Sequence, residues 1–416
     1  MIYSQERIAS AIHGLRVIAD TIHSYILYEL PDAMKIIADE NIPCVEQAFA
    51  SLGEVTLLPG RGMQPEQVRD ADILLVRSVT SVDQTLLENS PVRFVGSATI
   101  GFDHVDRAYL QRHDIGFATA PGCNATSAAE YVVSALLVLA GRKRFGLAGK
   151  TVGIIGCGNV GSRVRNKLTA LGMRCVVNDP PLQAQGGHDE FVSLGEVLQA
   201  DVVTVHVPYT RDGLYPTHHL VDAAVLQQLQ AGALFINTSR GAVTDNQALN
   251  HLLAERDDLS VVLDVWEGEP AINAQLLERV DLGTPHIAGY SLDGKLRGTE
   301  MIYQAACEHF GQPGQWRAAD NLPAGTVIEL AEADNQSVTA LLGAAVSGCY
   351  DICADDVRLR AMLALPGNER SAYFDRLRKE YPVRREFSEA TVLINAAGDA
   401  CEPALRGLGF KVAVSA

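Results

Sequence analysis

Along the first third of the chain, short apolar runs alternate with polar stretches rich in turn residues. Lys35–Ala38, Glu54–Leu57, Ile73–Val76 and Phe94–Ser97 each read as a buried strand bounded by turn and cap residues. Helical stretches separate them, and that alternation predicts parallel βαβ units. An Ala/Val/Leu-rich run at about Ser127–Ala140 predicts a long buried helix crossing into a second unit. A new strand series follows it: Thr151–Ile155, Arg174–Asn178, Val202–His206, Leu234–Asn237 and Val261–Val265. Its spacing of roughly 25–30 residues is the rhythm of a doubly wound sheet.

Breaker-rich segments at Gly311–Gly314 and Asn321–Gly325 mark a linker. Beyond it the pattern predicts a strand at Val327–Leu330, a helix at about Gln336–Cys353, a helix at Ser371–Lys379 and a strand at Val392–Asn395. These suit a small α+β domain over residues 320–416. Residues 1–33 have no clear period, and Met34-Lys35-Ile36-Ile37 reads as a start followed by a first strand. The expectation is an N-terminal extension, either upstream of a natural start at Met34 or loosely attached.

Composition narrows the classes. The 416 residues suffice for about two or three domains. The net charge of −16 leaves no global basic footprint for nucleic acid or an anionic membrane. Eight cysteines include no C-x-x-C pair, so no zinc ligand set is legible and no metal is expected. Reduced thiols in a cytoplasmic protein are the economical reading. The longest apolar run, Tyr131–Ala140, is about half of the roughly 20 residues a membrane span needs, and no signal-peptide pattern opens the chain.

Candidate chemistry begins at Gly156-Cys157-Gly158-Asn159-Val160-Gly161, a G-x-G-x-x-G directly after an apolar strand and before a helical pattern at Ser162–Leu171. Gly156 allows the tight turn, Gly158 admits a pyrophosphate to the backbone, and Gly161 lets helix pack on strand. The helix N-terminus offers unpaired N–H groups to the phosphates. Asp179 ends the next strand, 23 residues after Gly156. A carboxylate there suits ribose hydroxyls and repels a 2′-phosphate, which favours NAD over NADP.

Three later stretches combine with this one: Asn237-Thr-Ser-Arg240-Gly241, Asp264-Val-Trp-Glu-Gly-Glu269-Pro270 and Thr284-Pro-His286-Ile-Ala-Gly289-Tyr290. Arg, Glu and His in this order resemble the D-isomer-specific 2-hydroxyacid dehydrogenases over residues 34–310. Finer segments resemble the erythronate-4-phosphate dehydrogenase family within them: Ala38–Pro43, Val76–Thr80, Asp103-His104, Ala120–Asn124, Asp179–Pro181 and His286–Gly298. The resemblance implies two Rossmann-like doubly wound domains. Residues 34–124, completed by about 289–310, would bind substrate, and 125–288 would bind NAD. Residues 320–416 would form a homodimer. The implied reaction oxidises 4-phospho-D-erythronate to 3-hydroxy-2-oxo-4-phosphooxybutanoate in pyridoxal 5′-phosphate synthesis. Alternatives are a related enzyme such as a phosphoglycerate dehydrogenase, or an NAD-sensing binding protein on the same fold.

On this reading His286 is the base, since an ordinary histidine titrates at about 6.5, near working pH. Glu269 holds the other imidazole nitrogen and stabilises the imidazolium. Arg240 clamps the substrate carboxylate with its planar fork. The resemblance further implies that Ser78, Thr99 and Tyr290 touch substrate and that Asp264 and Gly289 border the nicotinamide. Val207 is expected along the cofactor, with His206 a scaffold residue. Arg77, Lys295 and Arg297 are candidate phosphate partners, and Cys123 and Cys157 are read as packing residues.

Overall fold

The computed structural model describes residues 33–186, 190–330, 337–395 and 400–414. The expected N-terminal extension lies outside them, apart from Ala33. The two strand series form two separate sheets, each parallel throughout. The first contains β1 (Met34–Asp39), β2 (Gly53–Leu58), β3 (Ile73–Val76), β4 (Phe94–Ser97) and β5 (Gly116–Ala118), in the order β2-β1-β3-β4-β5. The second contains β6 (Thr151–Ile155), β7 (Arg174–Asn178), β8 (Val202–Val205), β9 (Leu234–Asn237), β10 (Ser260–Leu263) and β11 (Leu282–Gly283), in the order β11-β10-β9-β8-β6-β7. The apolar pattern missed β5 and β11, which span three and two residues and give no run to read. The chain reverses direction across the second sheet between β6 and β8, and the crevice beyond those strand ends is where doubly wound sheets bind ligands.

Two long helices tie the sheets together. Helix α1 (Ala125–Lys143) is buried around most of its circumference, as its nearly uniform apolar composition requires. Helix α2 (Asn159–Ala170) follows β6. Helix α3 (Leu292–His309) returns the chain to the first sheet, where Ile302, Tyr303, Ala306 and Cys307 share a core with Ile36, Phe49 and Phe94. Among the described residues no single helix is long and apolar enough to cross a membrane.

After the linker, β12 (Thr326–Glu329), β13 (Ala390–Ile394) and β14 (Lys411–Val414) form a three-stranded parallel sheet. The helix expected over Gln336–Cys353 is instead two, Val338–Cys349 and Ile352–Arg360. Tyr350 is extended, and the Asp351 carboxylate accepts from Cys353 N–H and Ala354 N–H, starting the second helix with a side-chain cap.

This C-terminal unit shares one apolar core with the second sheet. Ile328, Val392, Leu405 and Leu408 belong to the same cluster as Val164 and Leu168 of α2 and Leu136 of α1. A polar clamp reinforces the seam. Glu130 of α1 is fully buried and accepts from Phe387 N–H at 3.0 Å and Lys167 Nζ at 3.4 Å. Arg384 donates to the carbonyls of Ser127 (2.7 Å) and Ala288 (3.1 Å). Arg385 pairs with Asp293 of α3 at 3.0 Å. Both carbonyls and Asp293 flank segments that lead into the inter-sheet crevice.

Candidate active site

The glycine turn after β6 has the geometry its sequence demands. Gly156 sits at φ +88°, and an added Cβ there would lie 2.8 Å from Val207. An added Cβ at Gly161 would lie 2.0 Å from the Gly156 carbonyl oxygen, so strand and helix meet with no room for a side chain. Gly158, capping α2, faces open space. That unobstructed backbone at a helix N-terminus, with Asn159 and Val160 as the first helical residues, fits a pyrophosphate. Asp179 comes to the same turn: its Oδ2 accepts from Cys157 N–H at 2.7 Å and its Oδ1 from Leu182 N–H at 3.0 Å. Each oxygen retains a lone pair for a ribose hydroxyl. His206 is half-buried between the Thr204 and Thr238 hydroxyls, 2.9 and 3.2 Å from its ring nitrogens. Burial lowers its pKa to about 3, so it is neutral.

The ends of β9, β10 and β11 supply Arg240, Glu269 and His286. His286 Nδ1 lies 2.8 Å from Glu269 Oε2, and Glu269 Oε1 accepts from Trp266 N–H at 2.8 Å. Burial pushes the Glu269 pKa up, but the facing His286, Arg378 and the Trp266 N–H outweigh it and hold it below the ordinary value. His286 stands at φ +57°, an uncommon backbone state for a residue with a Cβ. Asp264 beneath it explains how that state is held. The Asp264 backbone carbonyl accepts from His286 N–H at 2.7 Å. Its carboxylate takes Thr284 Oγ1–H, Ile287 N–H and Ala288 N–H at 2.6–2.9 Å. Burial raises the Asp264 pKa.

Arg240 is placed by its own turn. The Asn237 side chain bonds the Arg240 carbonyl at 3.1 Å and Ser239 N–H at 3.0 Å. Gly241 follows because an added Cβ would strike the Trp266 carbonyl at 2.0 Å. The guanidinium then reaches the first sheet, lying over Gly101 with its Nε 3.7 Å from Asp103. The loop after β4 therefore faces it. There the Thr99 hydroxyl bonds Ser97 Oγ (2.8 Å) and the Gly101 carbonyl (3.1 Å).

The remaining expected residues divide. Ser78 is exposed in the turn after β3, and among the described residues its hydroxyl has no partner. Gly289 packs against Asn124, whose Nδ2 would lie 2.2 Å from an added Cβ. Tyr290 is half-buried, with Lys295 Nζ 4.5 Å from its ring centroid. Arg77 spends its Nε on the buried Asp39 at 3.1 Å. Arg297 is not available for phosphate as expected: it pairs with Glu386 and donates to the Cys123 carbonyl, inside the clamp of the C-terminal unit. Cys123 and Cys157 are buried. One trio, His219, Asp245 and Glu267, has ligand atoms within 4.8 Å of one another, but Asp245 caps a helix and Glu267 accepts from Asn246 N–H.

Comparison with known proteins decides the family. The model described as "D-isomer specific 2-hydroxyacid dehydrogenase, NAD binding domain" matches residues 138–288, and "Domain of unknown function (DUF3410)" matches residues 322–409. The erythronate-4-phosphate dehydrogenase of Marinobacter nauticus is 46% identical over 384 residues, covering 92% of this chain and 100% of its own. That of Pseudomonas syringae pv. syringae is 49% identical over 378 residues, covering 90% and 99%. The chain belongs to the erythronate-4-phosphate dehydrogenase family. It is an NAD-dependent oxidoreductase of the D-isomer-specific 2-hydroxyacid dehydrogenase superfamily. Among solved structures, NAD-bound 3-phosphoglycerate dehydrogenase of Entamoeba histolytica superposes with a TM-score of 0.58 at 24% identity, covering 67% of this chain and 96% of that one. At that identity the likeness speaks for the fold.

Sequence reasoning passed over Asp103 and Arg378 as site residues. Asp103 had a signal, since it lies in a segment shared with the family. Arg378 had none, for it is one of several basic residues on a polar helix 88 positions after Tyr290.

Proposed function

We propose that this chain oxidises 4-phospho-D-erythronate to 3-hydroxy-2-oxo-4-phosphooxybutanoate on the way to pyridoxal 5′-phosphate. The observation that carries the reading is the Glu269–His286 pair, 2.8 Å apart, at the end of the NAD-binding sheet and across from Arg240. NAD, when bound, accepts the hydride that leaves C2. His286 Nε2 takes the hydroxyl proton while Nδ1 stays bonded to Glu269, which stabilises the imidazolium as it forms. Arg240 holds the carboxylate and draws electron density from the C2 oxygen. Gly156, Gly158, Asn159, Val160 and Gly161 receive the pyrophosphate, Asp179 the ribose, and Val207 and Gly289 flank the nicotinamide. Asp264 sets the loop that carries His286. Ser78, Thr99 and Tyr290 contact the substrate.

Residues 34–124 with about 289–310 act as the substrate-binding unit, 125–288 as the NAD unit, and 320–416 as the dimerisation unit. Supporting the last assignment, β12 and β14 are edge strands that expose Val327 (61%) and Val414 (71%), and unpaired apolar edges favour pairing with a second copy. Sedimentation velocity should give a dimer; a monomer at working concentration would reject it. Among the described residues no cysteine forms a disulfide, which suits a reducing cytoplasm.

The test of the reaction is NAD reduction followed at the nicotinamide absorbance, with 4-phospho-D-erythronate beside 3-phosphoglycerate and D-lactate. A 2-oxo acid is added in parallel, so that tightly held NADH can turn over. Clear preference for 4-phospho-D-erythronate is expected. Preference for another acid would discard the substrate and keep the chemistry.

A further inference from the structure

Helix α4 (Gly367–Lys379) of the C-terminal unit reaches the first sheet's loops. Its Asp375 pairs with Arg61 at 3.2 Å, and its Lys379 approaches Glu40 at 3.4 Å. Arg378, three residues after Asp375, lies on a neighbouring line of the same helix face. Its guanidinium carbon is 5.8 Å from the ring centroid of Tyr290, the ring that also carries Lys295 at 4.5 Å. Two cations from distant segments thus converge on one tyrosine beside the Gly289 turn.

Neither cation forms a direct ion pair with a described residue, although the Glu269 and Asp264 carboxylates act on Arg378 from farther off. Among the described residues, no carboxylate oxygen lies within 4 Å of Lys295 or Arg378. Arg378 Nε is buried and among the described residues has no hydrogen-bond partner, which is a costly state for a charged donor. Arg77, the third cation, bonds Asp39 through Nε alone.

We propose that Arg378 joins Lys295, Arg77 and the Tyr290 hydroxyl in the subsite for the substrate's phosphate, so that the C-terminal unit completes the active site. The inference rests on the phosphorylated substrate proposed above. A dianion there would offer acceptors to the Arg378 guanidinium, whose Nε–H has no described partner, and would balance the charges of Lys295 and Arg378, which lack direct ion pairs, in a chain of net charge −16. The titration of the cluster agrees. Burial, then the charges of Arg77 and Arg378, lower Lys295 to about 8. Burial opposes the Arg378 charge, but Tyr290, Glu269 and Asp264 hold it protonated with a raised pKa.

The test compares 4-phospho-D-erythronate with D-erythronate, the same acid lacking phosphate, in the full-length enzyme. Arg378→Gln should lower the ratio of their kcat/KM values by about ten- to a hundredfold, through KM for the phosphorylated acid. Arg378→Lys should recover part of that ratio, and Kd for NAD should not move. Inorganic phosphate should inhibit the wild type competitively and the variant much less. An equal loss on both acids, or an unchanged ratio, overturns the inference. If Arg378→Gln fails to fold, Lys295→Gln carries the same comparison. A wild type that does not prefer the phosphorylated acid refutes the substrate; a wild type that prefers it, with an unchanged ratio in the variants, refutes only the subsite.

Discussion

At the scale of the residue, the site is built by hydrogen bonds that leave little choice of conformation. His286 is held at φ +57° by Asp264, which receives two backbone N–H groups and one hydroxyl on its carboxylate. Asp264→Ala would leave all three donors unpaired in a buried place. It should cost about 2–4 kcal/mol in chemical denaturation and lower kcat through a misplaced His286. His286→Ala should lose about 10²–10⁴-fold in kcat with the fold intact by circular dichroism; near-normal turnover would reject it as the base. Lys295 gives a pH prediction. Facing Arg77, Arg378 and the Tyr290 ring, it loses its proton near pH 8, so KM for a phosphorylated substrate should rise as pH passes through about 8. The same shift has a stability consequence of fixed sign. The folded pKa lies below the ordinary 10.5, so the penalty is fully present below about 8 and fades as pH climbs toward 10.5. Lys295→Met should therefore raise the melting temperature at pH 7 while weakening substrate binding.

At the scale of the element, legibility followed length and context. Most strands of four or more residues stood out; β5 and β11 were too short to show a period, and β14, an edge strand with two exposed ends, was passed over as well. The glycine turn, with its strand before and helix after, was readable because each glycine answers a separate steric demand. The break at Tyr350 was signalled by Asp351, a capping residue inside an otherwise apolar run, and the run outweighed it. Arg297 looked like a spare cation because its partner, Glu386, lies 89 residues away. The clamp of α1 was invisible for the same reason, and it makes a prediction at this scale. Burial first, then Glu386, raises Glu130 to about 7 against the pull of Lys167. A raised carboxyl pKa means the folded chain binds the proton more tightly than the unfolded one. Stability should fall as pH rises from the ordinary 4.5 through about 7. Glu130→Gln should flatten that fall in melting curves taken from pH 5 to 8. Glu130→Leu, which strands Phe387 N–H and leaves Lys167 with the Leu408 carbonyl but no carboxylate, should cost about 2–4 kcal/mol.

At the scale of the molecule, the C-terminal unit is no appendage. It shares an apolar core with the NAD-binding sheet and sends Arg384 to the carbonyl of Ala288, one residue before Gly289. A chain ending at Pro313 would expose that flank of α1 and α2. It should be recovered aggregated or partly unfolded by light scattering and circular dichroism, and a monomeric, cooperatively folded product would contradict the shared core.

The bond between Glu130 and Phe387 N–H closes a gap of 257 residues. A ribosome adding about 5–20 residues per second needs on the order of ten to fifty seconds to deliver the second partner after the first. In the last part of that interval, after residue 288 is made, the nucleotide-binding unit stands finished but uncapped, with a sticky helix flank and Glu130 still lacking its Phe387 N–H donor. Slower translation lengthens this exposed interval and cooler growth weakens the stickiness itself, so the yield of native protein is set by the balance between the last hundred codons and aggregation of the first three hundred.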